Sequence, residues 1–251
     1  MSESTHDSPK DRAEQIERDL REVARRDKAE FLPKFFQAFP GGYGEGDQFL
    51  GCVVPDQRKV ARRHRDASAE VLVDLFASPW HECRLTGMLI LVMQFETANR
   101  IGNPDRESQT ERLFDFYLSN LDAADNWDIV DATAPKILGA FLLQQDSPRR
   151  LLDRLASANS LWHRRTAVVA CLPLIKDGQF DDLLRLAQKL LRDEHDLMHK
   201  AIGWMLREVG KQDQDVLRTF LAEHVFEMPR TMLRYSTERL SATERTMWLK
   251  R

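Results

Sequence analysis

The stretch NWDIVD, Asn126 to Asp131, sets an indole and a carboxylate four residues apart. On a helix, positions i and i+4 share a face, so Trp127 and Asp131 would present a large ring beside one negative charge. Further along, Lys200, Trp204 and Arg207 recur at i, i+4 and i+7, Trp162 stands three residues before Arg165, and Arg230 four before Arg234. A fixed carboxylate can stabilise a positive charge that develops during a reaction, and ring faces attract cations. Each residue also has a plainer use. Tryptophans in helical repeats are more often core than site, a carboxylate near a helix start acts as a cap, and arginines on a solvated face commonly do nothing specific. Both readings stand at this point, and the conjunction carries more information than any one member.

The elements that would position these residues are helical. The 251 residues are 42% hydrophobic with only 11 glycines and 10 prolines, which favours an all-α fold with a sizeable core. The segment AEQIERDLREVARR has apolar residues at helical spacing and closes before Pro33. Residues 39–51, FPGGYGEGDQFLG, hold five of the glycines and form a loop, either a connection or a flap. From residue 69 onward apolar helical segments recur in pairs. The first residues of every second segment are Arg84, Asp131, Arg165, Lys200 and Arg230, at intervals of 47, 34, 35 and 30. Two helices per period of this length indicate a HEAT-like repeat α-solenoid. Its inner helices would line a concave basic cleft, with four cationic rungs and one anionic rung, Asp131. The polar start, residues 1–12, is expected to be disordered, and residues 13–251 to form a single domain.

Charge sharpens this expectation. The net charge is −3, yet residues 134–251 hold 20 Lys+Arg against 15 Asp+Glu, while residues 1–133 hold 17 against 25. The C-terminal half would therefore face phosphates, or a protein partner with an acidic surface. The run Arg58, Lys59, Arg62, Arg63, His64 and Arg65 reads as a solvated helix face with a lesser prospect of touching phosphate. Cys52, Cys83 and Cys171 lie in no bridging or zinc-binding spacing, so reduced, buried thiols and no metal are expected. Neither a signal peptide nor a membrane-spanning run stands out, which places the chain in the cytoplasm.

NWDIVD, WHRRTAVV, HKAIGWMLREVGK and MPRTMLRYSTERL, in that order and spacing and preceded by GGYGEGDQFLG and RLTGMLILVMQF, resemble the AlkD-like DNA alkylation repair glycosylases. The similarity runs from about Phe36 to Leu240. The resemblance implies a solenoid that holds duplex DNA in its cleft and excises cationic N3- or N7-alkylated purines (3-methyladenine, 7-methylguanine), as a monofunctional enzyme without metal or cofactor. By position it implies Asp131 as the catalytic aspartate, Trp127 and Trp204 as the rings flanking the lesion, and Arg165 as the arginine that grips phosphate, with Arg164 its neighbour and alternative. Lys200, Arg207 and Arg230 would add DNA contacts. A monomer is expected. The competing expectations are a non-catalytic HEAT-repeat adaptor that binds DNA or protein, and an RNA binder.

Overall fold

A computed structural model of the protein describes residues 8–144 and 149–250. Of the segment expected to be disordered, residues 1–7 lie outside the described residues, and residues 9–12 instead open the first helix. Ser8 makes this start. Its hydroxyl accepts from Asp11 N at 3.2 Å while the Asp11 carboxylate accepts from Ser8 N at 3.0 Å, a reciprocal cap that polar composition alone conceals. Regular structure among the described residues is helical, and the one β pairing there is an isolated bridge between Gln48 and Trp80. The fold is all-α. Among the described residues no helix is long and apolar enough to cross a membrane.

The chain divides into two compact units, Met1–Ile129 and Val130–Arg251. The first holds α1 (Pro9–Glu22), α2 (Arg26–Phe35), α3 (Val54–Arg63), α4 (Ala69–Phe76), α5 (His81–Ala98), α6 (Arg106–Ser119) and the start of α7 (Trp127–Thr133). Helix α5 is its hub and packs against α1, α3, α4 and α6. Its run from Leu85 to Val92 is buried on every side, as expected of a helix apolar all round. Helix α2 is the opposite case, with no buried residue and with Phe31 and Phe35 half exposed.

The second unit continues with α8 (Ala140–Leu142), α9 (Arg150–Ala156), α10 (Leu161–Val169), α11 (Leu172–Lys176), α12 (Asp181–Lys189), α13 (Asp196–Gln212), α14 (Gln214–His224), α15 (Arg230–Ser236) and α16 (Ala242–Leu249). Helix α10 packs beside α13, and α13 beside α15, so the helices carrying Arg165, Lys200 and Arg230 are consecutive neighbours. Helix α7 is followed by a π-helical turn, Pro135–Gly139, in which Gly139 N donates to Ala134 O at 2.9 Å. Proline causes the slip. Pro135 has no amide hydrogen to donate to the carbonyl of Asp131, four residues earlier, and such turns recur at functional sites.

The three thiols are free and buried. Burial pushes Cys52 and Cys83 up to about 12 and Cys171 higher still.

Gly203 sets the spacing of α13 and α15. A Cβ there would lie 2.6 Å from Met232 O and 2.6 Å from the Tyr235 Cβ. Gly203→Ala should therefore force the two helices apart and lower stability by about 1–3 kcal/mol, read as a drop in the urea midpoint. An unchanged midpoint would show slack between them.

Candidate functional site

Asp131, on α7, is held by Arg165 of α10 across 34 residues of sequence. The Arg165 Nε and Nη2 donate to the two carboxylate oxygens at 2.9 and 2.8 Å, a parallel two-bond fork. Nη1 donates to the carbonyl of Leu197, in the first turn of α13, at 2.7 Å. One guanidinium thus joins three helices. Its side chain is 6% exposed against 21% for Asp131, so the carboxylate reaches solvent and the arginine does not. Arg165, expected as a phosphate grip, is thus placed as a buried guanidinium bonded to a carboxylate and a carbonyl. Arg164 is bound as firmly. It donates to Asp193 at 2.7 Å and to the carbonyls of Asn159 and Ala158 at 2.7 and 3.1 Å.

The other expected cations are exposed or half-buried but partnered. Lys200 pairs with Asp196 at 2.7 Å, Arg207 with Glu238 and more distantly with Glu208 at 3.6 Å, and Arg230 donates to the carbonyl of Leu249. Arg84 is no open rung at all. It is buried and bound to Asp47, to Asp125 at 3.2 Å and to the Ser78 carbonyl at 2.9 Å. Trp204 is half-buried, with its indole N–H on Glu208 at 3.2 Å.

In the first unit Trp127 opens α7 against an aromatic cluster. Its ring stacks on Phe36 at 5.4 Å and meets the edge of Phe35 at 6.0 Å, and its Nε1 donates to the Tyr43 hydroxyl at 3.3 Å. Phe31 stacks on Phe35 at 5.5 Å, extending the rings along α2. Asp131 follows Trp127 by one turn of the same helix, as the spacing predicts.

Beneath Trp127 lies a buried ionic group that sequence reasoning missed. His81 bonds Asp47 at 3.1 Å through Nδ1 and Asp128 at 3.0 Å through Nε2. Phe49 stacks on the imidazole at 5.0 Å, and Phe36 lies tilted against it at 4.8 Å. Burial disfavours the charged ring, but Asp128 and Asp47 outweigh it and lift the His81 pKa to about 9. Burial would likewise raise Asp47, yet His81 and Arg84 hold its carboxyl below the usual range. Glu82 closes the glycine loop nearby, accepting from the amides of Leu50, Gly51 and Cys52 at 2.9, 2.8 and 3.0 Å. Gly51 is required there, since its φ is +99° and a Cβ would lie 2.3 Å from Arg25 O. The only sequence signal was a carboxylate in the glycine loop and a second beside Trp127. Separations of 34 and 47 residues from His81 follow no helical period.

The chain is all-α, with a bidentate carboxylate–arginine pair at the end of a tryptophan-led helix. The match to a family model places it more closely: residues 16–240 match the family described as DNA alkylation repair enzyme, and the chain belongs to that family. A solved structure described as a predicted DNA alkylation repair enzyme from Enterococcus faecalis is similar, with TM-score 0.63 at 16% identity over 87% of this chain and 97% of that one. At that identity the likeness speaks for the fold. A comparison with curated proteins found no match.

Removing the Arg165 fork should take two charge-assisted hydrogen bonds from Asp131. Arg165→Ala should cost about 3 kcal/mol, the lower end for a broken buried pair because Asp131 is partly solvated, measured by urea unfolding. Arg165→Lys should recover only part of that loss, since an ammonium cannot make two parallel bonds. His81 binds its second proton more tightly folded than unfolded. Its stabilisation is therefore complete below the ordinary histidine value near 6.5 and is lost as pH rises through about 9. The wild-type melting temperature should fall between about pH 6.5 and 9 by more than that of His81→Gln, and equal falls would contradict the assignment.

Proposed function

We propose that the protein is a monofunctional DNA glycosylase that excises cationic N3- and N7-alkylated purines, such as 3-methyladenine and 7-methylguanine, from duplex DNA. The observation that carries this reading is Asp131, solvent-reaching, oriented by two bonds from Arg165 and one helical turn after Trp127. Family membership supports a DNA alkylation repair role, and the residues supply the chemistry.

An alkylated purine already carries a positive charge, so its glycosidic bond breaks without prior protonation. The bonding pair leaves with the base nitrogen, the base departs neutral, and the positive charge moves to the deoxyribose as an oxocarbenium-like centre. Water then adds to C1′ and gives up a proton, leaving an abasic site. Asp131 stabilises the sugar cation electrostatically and orients the water. The faces of Trp127 and Trp204 attract the charged lesion, and Lys200, Arg207 and Arg230 exchange their internal partners for phosphates. In this reading the helices stack as a HEAT-like solenoid with a basic concave wall, and a cytoplasmic monomer without metal suffices. The internal pairing of those three cations is the observation that favours a second reading, a non-catalytic adaptor.

Release of 7-methylguanine from methylated duplex DNA, measured with purified protein and no added metal, separates the two readings. Asp131→Asn should reduce release by at least about a hundredfold while changing DNA affinity little. Trp127→Ala and Trp204→Ala should each slow release by about 2–30-fold, the equivalent of about 0.5–2 kcal/mol of ring–cation attraction. Wild-type release from Asp131→Asn would remove the carboxylate from the mechanism, and no release from any form would favour the adaptor.

A further inference from the structure

We propose that His81 and Asp47 are positioning residues for Trp127, fixing the indole at the excision site through the carboxylates that His81 bridges and the rings packed on it. This rests on the reading of Trp127 as part of that site. The support is geometric. Trp127 is bracketed in the backbone by Asn126 and Asp128, and both are tied to the same group. Asp128 accepts from His81 Nε2 at 3.0 Å, and the Asn126 amide donates to Asp47 at 3.4 Å. The indole is bracketed too. Phe36, which lies tilted against His81 at 4.8 Å, stacks on Trp127, and Tyr43 of the glycine loop accepts from the indole Nε1. Backbone and ring of Trp127 are thus referred to one buried imidazole at the start of α5 and one carboxylate in the glycine loop.

A neutral imidazole donates from one nitrogen only, whereas both nitrogens of His81 face carboxylates from different segments. The arrangement therefore requires the doubly protonated ring. Loss of one proton turns a lone pair toward Asp47 or Asp128 and releases either the loop or the helix start. The charged groups around His81 are Asp47 of the loop, Asp125 just before α7, Asp128 in the first turn of α7, and Arg84 and Glu82 of α5 itself. Arg84 bonds Asp47 and Asp125, while Glu82 is occupied by three loop amides. Deprotonated, His81 leaves Arg84 as the sole cation among three carboxylates, so Trp127 loses its support at alkaline pH. A purely structural imidazole would lower stability without this selective effect on one indole.

The experiment compares wild type, His81→Gln and Asp47→Asn, each also in a Trp127→Phe background. Single-turnover release of 7-methylguanine, affinity for undamaged duplex and tryptophan emission are measured, with enzyme-free controls at each pH. Both variants should fold, release base about tenfold more slowly at saturating protein and bind duplex within about twofold of wild type, as expected when a group is misplaced rather than removed. Their emission should differ from wild type, and that difference should vanish in the Trp127→Phe background. The wild-type rate should fall as pH rises through about 9, where His81 loses its proton, and the His81→Gln rate should not. Folded variants with wild-type rates, or an alkaline fall that persists in His81→Gln, would overturn the proposal. Should neither variant fold, wild type decides: an emission that does not change with pH in a Trp127-dependent way overturns it. Absence of base release from wild type would count against the glycosylase reading, while the emission measurements would still test what holds Trp127.

Discussion

A carboxylate largely withdrawn from water needs a partner, and for Asp131 that partner is the fork of Arg165. The pair makes the sequence separation of 34 residues a physical contact, and through Leu197 it adds α13 to the same joint. Two parallel bonds fix the direction of the carboxylate plane, which a single point charge could not do. The arginine is the buried member and the aspartate the solvent-reaching one, so the negative charge is what the site presents.

The first unit solves a related problem differently. Instead of one pair it buries a group in which Arg84 and the imidazolium of His81 meet Asp47, Asp125 and Asp128, with phenyl rings on the imidazole faces. Burying so much charge is costly unless every member is bonded. What the group provides is specificity of conformation: it joins a glycine-rich loop, the start of α5 and the start of α7 by bonds of fixed direction, which apolar contact alone does not supply.

Much of the architecture was legible because it is periodic. Apolar residues at helical spacing marked the helices, and the intervals of 34, 35 and 30 between Asp131, Arg165, Lys200 and Arg230 anticipated the side-by-side packing of α10, α13 and α15. The one-turn relation of Trp127 to Asp131 was equally direct. Arg84 and Arg165 were legible as cations but not as buried ones, because a sequence counts charges without showing which are already bonded. His81 was invisible for a deeper reason. Its partners arrive from a loop and from another helix, and contacts of that kind leave no repeat in the chain. The helix at Pro9 was missed because its start depends on one hydroxyl–carboxylate exchange within a polar stretch.

A member of a DNA alkylation repair family meets the electrophiles whose damage it is built to answer. Sulfur is ordinarily the softest and most easily alkylated site on a protein, and it reacts as thiolate. Here Cys52, Cys83 and Cys171 are all enclosed, and burial keeps each proton in place far above neutral pH. The three thiols are thereby held as weak nucleophiles, closed to reagents that attack sulfur as thiolate.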